Sequence, residues 1–343
     1  MALTIKRLTK AQVPQWDEYL KKNKSSIYHD SRWIHLVKKV FGHDSFHIIA
    51  LDSGNVVGVL PLVQLKSLLF GNFMVSMPYF NYGGIIADND EITLQILKFA
   101  NGLSNQLACS HIELRFDSQQ QLELPVRTDK VTMLLDLPDN ADALWQAIGT
   151  KRRAQVKRPI REGVEFITGG LELLGEFYDV LSKNMRDLGT PVYGKNFFKE
   201  ILVAFPDNAH IAVVRLNGEA VGTGFLMGNA GVLEIPWAST LKKYNRLGIN
   251  MYMYWNILKF AIEHEFKTFD FGRSSKDVGT LKFKKQWGSV EKQLYWYYSM
   301  DEDKPMPSLN PNNRKYQAAI SAWKKMPVFL TKIIGPGLVK NLP

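Results

Sequence analysis

A five-residue string occurs twice in this chain. Ile96-Leu97-Lys98-Phe99-Ala100 returns letter for letter as Ile257-Leu258-Lys259-Phe260-Ala261. Upstream, Ile48-Ile49-Ala50 with Gly54-Asn55-Val56-Val57-Gly58 corresponds to Ile211-Ala212-Val213 with Gly218-Glu219-Ala220-Val221-Gly222. Downstream, His111–Asp117 answers Lys267–Arg273. All three offsets are about 160 residues, and coincidences in register point to two copies of one unit. Each copy reads as helix, helix, hairpin, strand, long helix, strand. A length of 343 residues accommodates two cores of that size. The fold expected is α/β (α+β), two tandem domains with mixed, mostly antiparallel sheets flanked by helices.

The order of elements follows from periodicity and turn residues. Helices are expected over Val13–Lys22, Arg32–Phe41, Glu91–Leu107, Ala141–Ile148, Thr150–Glu162, Leu171–Leu188 and Asn196–Phe205. The first hairpin turns at Gly54-Asn55 and returns along one strand, Val56–Leu65. The second turns at Asn217-Gly218. Domains are expected over 1–145 and 146–300, with a basic linker helix at 150–162 and a basic, aromatic tail at 301–343. The tail reads either as a membrane-interface segment or as a cap on the second domain.

The stretch Tyr244–Gly288 combines a polar loop, a helix, the strand Thr268–Phe271, a turn at Gly272-Arg273-Ser274 and a basic, aromatic run to Gly288. Free N–H groups at a helix start after such a loop form an anion site, so its first reading is a phosphate-binding junction. Lys and Arg number 43 against 33 Asp and Glu, a net charge of +10, which points to a polyanionic partner. Lys151, Arg152, Arg153, Lys157, Arg158 and Arg161 concentrate six of those cations. They read either as a phosphate-contacting face, for tRNA or a lipid-linked pyrophosphate, or as a solvated helix face.

One cysteine, Cys109, excludes an intramolecular disulfide and a cysteine-clustered zinc site, and it reads as a packing residue in a helix. No paired histidines suggest a metal, so neither metal nor bound cofactor is expected. The start, MALTIKRLTKAQVPQW, lacks an apolar core of signal-peptide length. No run approaches the roughly twenty apolar residues of a membrane span. A cytoplasmic protein is expected, peripheral on the inner membrane face if the tail binds lipid.

The element order resembles the GNAT acyltransferase fold, and two such domains in tandem resemble the FemAB-type peptidyltransferases. The resemblance is carried by Trp33 with Lys38, Leu114-Arg115-Phe116-Asp117, Val156–Val164 and Asp270-Phe271-Gly272-Arg273 with Phe283-Lys284-Lys285-Gln286-Trp287-Gly288. It covers nearly everything up to residue 300 and is nearest to FemAB-related proteins of exosortase (PEP-CTERM) and exopolysaccharide systems.

The resemblance implies an aminoacyl- or acyltransferase that forms an amide on a cell-envelope precursor, related to peptidoglycan or exopolysaccharide. Aminoacyl-tRNA is the implied donor. The alternatives are an acyl-CoA-dependent N-acyltransferase, for which Arg246–Asn250 offers part of a pyrophosphate loop, and a non-catalytic RNA- or glycan-binding protein. It implies Lys284 as the cation that stabilises the tetrahedral intermediate, against a surface lysine among basic neighbours. It implies Asp117 at the acceptor as a base, against a turn-capping role. Arg115 either points to the cleft or pairs with Glu113. Trp33 and Lys38 match a contact to a nucleotide-linked sugar. Tyr193 stands where related proteins carry a phosphate-binding arginine, and Lys195 is the nearest substitute. Trp237 matches an aromatic binding position or packs in the core, and Arg273 is a further substrate contact, oriented by Asp270.

Overall fold

In a computed structural model of the chain, residues 3–68, 70–275, 279–307 and 314–342 are described. The order begins β1 (Thr4–Arg7), α1 (Val13–Lys22), α2 (Arg32–Phe41), β2 (Asp44–Ser45), β3 (Ile48–Asp52), β4 (Asn55–Leu60), β5 (Val63–Ser67), β6 (Gly71–Val75), β7 (Ile86–Ala87), α3 (Asp90–Gln106), β8 (His111–Phe116) and β9 (Val126–Arg127). It continues with β10 (Lys130–Asp136), α4 (Ala141–Ala147), α5 (Gly149–Ile160), β11 (Val164–Gly169), α6 (Leu174–Leu188), α7 (Lys195–Ala204), β12 (Ala209–Leu216), β13 (Glu219–Asn229) and β14 (Val232–Thr240). It ends with α8 (Ile249–Glu263), β15 (Thr268–Ser275), α9 (Gly279–Lys285), β16 (Val290–Gln293), β17 (Tyr295–Met300), α10 (Arg314–Lys325) and α11 (Val328–Val339).

Two compact units result: residues 1–131, 292–308 and 340–343 in one, and 132–291 and 309–339 in the other. The division departs from the 145/146 boundary because strands are placed by pairing rather than by order. β10 lies beside β15 in the second unit's sheet, and β17 pairs with β8 in the first.

In the first unit, one sheet runs β1-β3-β4-β7 and the other β2-β5-β6-β8-β17-β9. The expected return strand Val56–Leu65 is two strands, β4 and β5, which belong to different sheets. Pro61 lies at the break, where its missing N–H cannot serve a ladder. α3 is capped by the Asn89 side chain, which accepts from the Ile92 N–H. Its Ile96 and Ala100 pack with Ile112 and Leu114 of β8. The second unit has one sheet, β11-β12-β13-β14-β15-β10-β16. In α8, Ile257, Leu258 and Ala261 are fully buried. The repeated string is therefore core in both copies, as helices between parallel strands require.

That parallel relation is the shared feature. β6 runs parallel to β8 through Met74–Ile112 and Val75–Glu113. β14 runs parallel to β15 through Val232–Thr268, Leu233–Phe269 and Glu234–Asp270. The last parallel pair thus ends on an acid in each unit, Glu113 in one and Asp270 in the other. Two local expectations are corrected. Gly272–Ser274 is not a turn, since β15 continues to Ser275, and Cys109 follows α3 rather than lying within it.

Candidate functional site

β14 and β15 part after Glu234 and Asp270, although both strands continue. The cause lies on the other edge of β14. Phe225 pairs with Trp237 but Met227 pairs with Glu234, so β14 carries one extra residue across Ile235-Pro236. Such a bulge bends its strand, and a proline there has no N–H to give the ladder. β15 answers with Gly272 at φ 72°, where an added Cβ would lie 3.4 Å from the Ile235 carbonyl oxygen. Only glycine adopts that backbone without strain.

Parting strands leave backbone groups that need other partners. Lys284 supplies them. Its ammonium donates to the Gly272 carbonyl at 2.7 Å and to the Arg273 carbonyl at 3.1 Å. Lys284 is buried, so it is not the surface lysine that its basic neighbours imply. Burial lowers its pKa to about 8, against the pull of Asp270 and Glu234, and the Arg273 charge lowers it further. Both acids are buried. Asp270 accepts from the Thr132 hydroxyl at 2.5 Å and from the Gly272 N–H at 2.8 Å.

Aromatic packing fixes α9 so that Lys284 reaches the fork. The Tyr254 ring of α8 stacks on Phe271 of β15 at 5.5 Å and meets Phe283 of α9 edge-on at 5.0 Å. Around Lys284 in sequence, the buried Ser274 and Ser289 hydroxyls and the Trp287 indole N–H have no hydrogen-bond partner among the described residues. A buried unpaired donor is costly, so these groups are suited to meeting a ligand. An ammonium has three donors, and two are spent on carbonyls. Beyond these two carbonyls no third hydrogen bond of the ammonium is seen among the described residues.

The corresponding place in the first unit, where β6 ends and β8 continues, is filled. Arg115 is almost fully buried, with Nε donating to Glu113 at 2.7 Å and a guanidinium N–H donating to the Phe80 carbonyl. Its guanidinium lies 4.4 Å over the Trp296 ring, and the Tyr298 hydroxyl donates to Glu113 at 2.9 Å. Of its two readings, pairing with Glu113 is the one observed.

The other expected residues are not gathered at one place. Asp117 follows β8 in the first unit, half exposed and ion-paired with Lys292. Trp33 is fully buried, donating its indole N–H to the Ile27 carbonyl at 2.9 Å and packing on Phe80. This corrects its reading as a sugar contact, because no face of the ring is open. Lys38 is exposed and pairs with Asp44 at 2.6 Å. Lys195 opens α7 and is exposed. Trp237 packs edge-on against Phe198 at 5.1 Å and Phe225 at 5.7 Å, with Tyr193 at 5.9 Å. Packing therefore accounts for both Trp237 and Tyr193. Arg273 is exposed on β15.

The basic residues lie on α5. Lys151, Lys157, Arg158 and Arg161 are exposed, and Arg152 and Arg153 are half-buried. Among the described residues none of the six forms an ion pair with an acid. Arg153 donates to Gln146 at 2.8 Å, and Lys157 lies over Trp145. The buried Val156 and Pro159 hold α5 against α8. At the start of α8, an added Cβ on Gly248 would lie 3.0 Å from the Gln155 carbonyl oxygen. The α5 backbone therefore packs closely on the residue that precedes α8.

Glu234 and Thr132 escaped notice in the sequence. The signal for Glu234 is a single acid inside the apolar run Val232–Ile235; Thr132 carries none. A separate concavity of about 420 Å3 is lined by Glu165, Glu176, Asp179, Lys183, Arg215 and Glu219, and it contains none of the fork residues.

Residues 150–285 match the family described as acetyltransferase (GNAT) domain. No curated protein matches the sequence. Among solved structures, that of FemX is similar with a TM-score of 0.68 at 16% identity, covering 87% of this chain and 97% of that one. L-PGS from Bacillus licheniformis gives a TM-score of 0.56 at 14% identity over 96% of this chain and 98% of that one. A tandem GNAT protein from the clavulanic acid biosynthesis pathway gives 0.56 at 11% identity over 89% and 100%. At these identities the likeness is one of fold. The chain thus has a fold like that of FemX, and residues 150–285, which match the GNAT acetyltransferase domain, contain the fork between β14 and β15 and its lysine.

Proposed function

We infer that this protein is an aminoacyl- or acyltransferase that forms an amide on a cell-envelope precursor. The observation that carries the reading is Lys284, buried at the fork with one N–H left beyond its two carbonyl partners. In acyl transfer the acceptor amine attacks the donor carbonyl, and negative charge grows on its oxygen. The ester or thioester bond breaks, and the leaving oxygen or sulfur takes up a proton. Lys284 answers the growing charge, a contribution that is typically worth about 100- to 1,000-fold in rate. Asp117, ion-paired with Lys292, is proposed to take the proton that the acceptor amine loses.

Aminoacyl-tRNA is the proposed donor. The exposed cations of α5 suit a phosphate backbone. The proposed acceptor is a phosphorylated envelope precursor or polysaccharide unit. Lys38, Lys195 and Arg273 are exposed and are proposed to contact it. Transfer of label from charged tRNA or from acyl-CoA to an envelope-precursor fraction tests the reading. Transfer from charged tRNA supports it, transfer from acyl-CoA alone replaces the donor, and inertness with both refutes it.

A further inference from the structure

α11 has two faces of different character. Thr331, Gly335 and Val339 recur every fourth residue and are buried. The contact is close because it uses small residues: an added Cβ on Gly335 would lie 2.9 Å from the Val192 carbonyl oxygen. On the opposite face Phe329, Ile333 and Ile334 are 62%, 72% and 42% exposed. Other large exposed apolar residues stand singly on separate elements, whereas these three form one ridge on a helix.

The segment that carries the ridge has charge of one sign. Asp303 is the last acidic residue of the chain, and seven Lys or Arg follow it. Lys324 and Lys325, both exposed, end α10 just ahead of Phe329. Lys332 is engaged with Asp179 at 2.6 Å. No helix among the described residues is long and apolar enough to cross a membrane. A short helix with one docked face, an apolar outer face and flanking lysines has the chemistry of an interfacial contact. Self-association through this segment would bring the lysines of two copies together, and the segment has no acid of its own.

We propose that the outer face of α11 seats the protein on an anionic lipid surface, with Phe329, Ile333 and Ile334 entering the interface and Lys324 and Lys325 meeting lipid phosphates. The full-length protein is sedimented with phosphatidylcholine vesicles and with phosphatidylcholine–phosphatidylglycerol vesicles. Binding is expected to the mixed vesicles and to weaken at least about tenfold in Ile333→Asp, since a charge replaces inserted apolar surface. The double variant Lys324→Glu/Lys325→Glu is expected to lose the preference for phosphatidylglycerol. Phe329→Ser, a milder change at a second exposed position, guards against a folding defect in Ile333→Asp. Failure to bind the mixed vesicles, or binding unchanged in both apolar variants, overturns the proposal. A wild-type dimer that Ile333→Asp dissociates also overturns it, by showing that a second copy covers the ridge.

Discussion

The Lys284 ammonium lies 2.7 Å from the Gly272 carbonyl oxygen, two residues beyond the last pairing of β14 with β15. A gap in one ladder is thereby closed by a side chain from another element. In the first unit the matching place is closed by Arg115, from the strand itself. The second closure keeps a donor in reserve, and the first spends its charge on Glu113 and backbone carbonyls.

The reserve donor exists only while Lys284 is charged. Its pKa is lowered from 10.5 to about 8, so activity is expected to be full below that pH and to fall as pH rises through it. Lys284→Arg is expected to move that loss to higher pH, seen in the pH dependence of single-turnover transfer. Stability has the opposite sign. Between about 8 and 10.5 the unfolded chain holds the proton that the folded one has released. The cost of burying the charge is therefore full below about 8 and disappears as pH rises toward 10.5. Urea melts across that window are expected to show a gain that is missing in Lys284→Met.

Arg115→Leu leaves Glu113 buried without its cation and is expected to destabilise by about 3–5 kcal/mol. Adding Glu113→Leu removes the orphaned charge and is expected to recover much of that loss. A double-mutant cycle in urea measures the coupling.

Gly272→Ala forces a side chain into a left-handed conformation and toward the Ile235 carbonyl. A loss of about 1–2 kcal/mol is expected from the backbone alone. Thermal melts give the stability. Transfer rate is expected to fall as well, because a shift of the Gly272 backbone moves the carbonyl that Lys284 holds.

Charge reversal of Lys151, Arg158 and Arg161 is expected to weaken tRNA binding and to reduce its log–log salt slope by about 2–3. Filter binding across salt concentrations measures both. The melting temperature is expected to be unchanged, because these side chains are exposed.

Much of the fold was legible because the repeated string supplies core residues in α3 and α8. The bounds of α1 and α2 were read directly from periodicity. β17 was not legible, since Tyr298 finds its register against Glu113 across most of the chain. α9 is seven residues long, and its lysines read as surface until Tyr254 and Trp287 are seen to hold it down. Trp33 misled for the reverse reason. Its satisfaction by the Ile27 carbonyl is a tertiary fact that a tryptophan on a helix does not announce. Lys284 was found through family resemblance, whereas its burial and the lowering of its pKa come from the fork.

The most direct test is single-turnover transfer from charged tRNA to the precursor fraction by wild type and Lys284→Met, with thermal melts alongside. The account predicts a loss of at least about 100-fold with a folded, cooperatively melting variant. Transfer at the wild-type rate in folded Lys284→Met would contradict it.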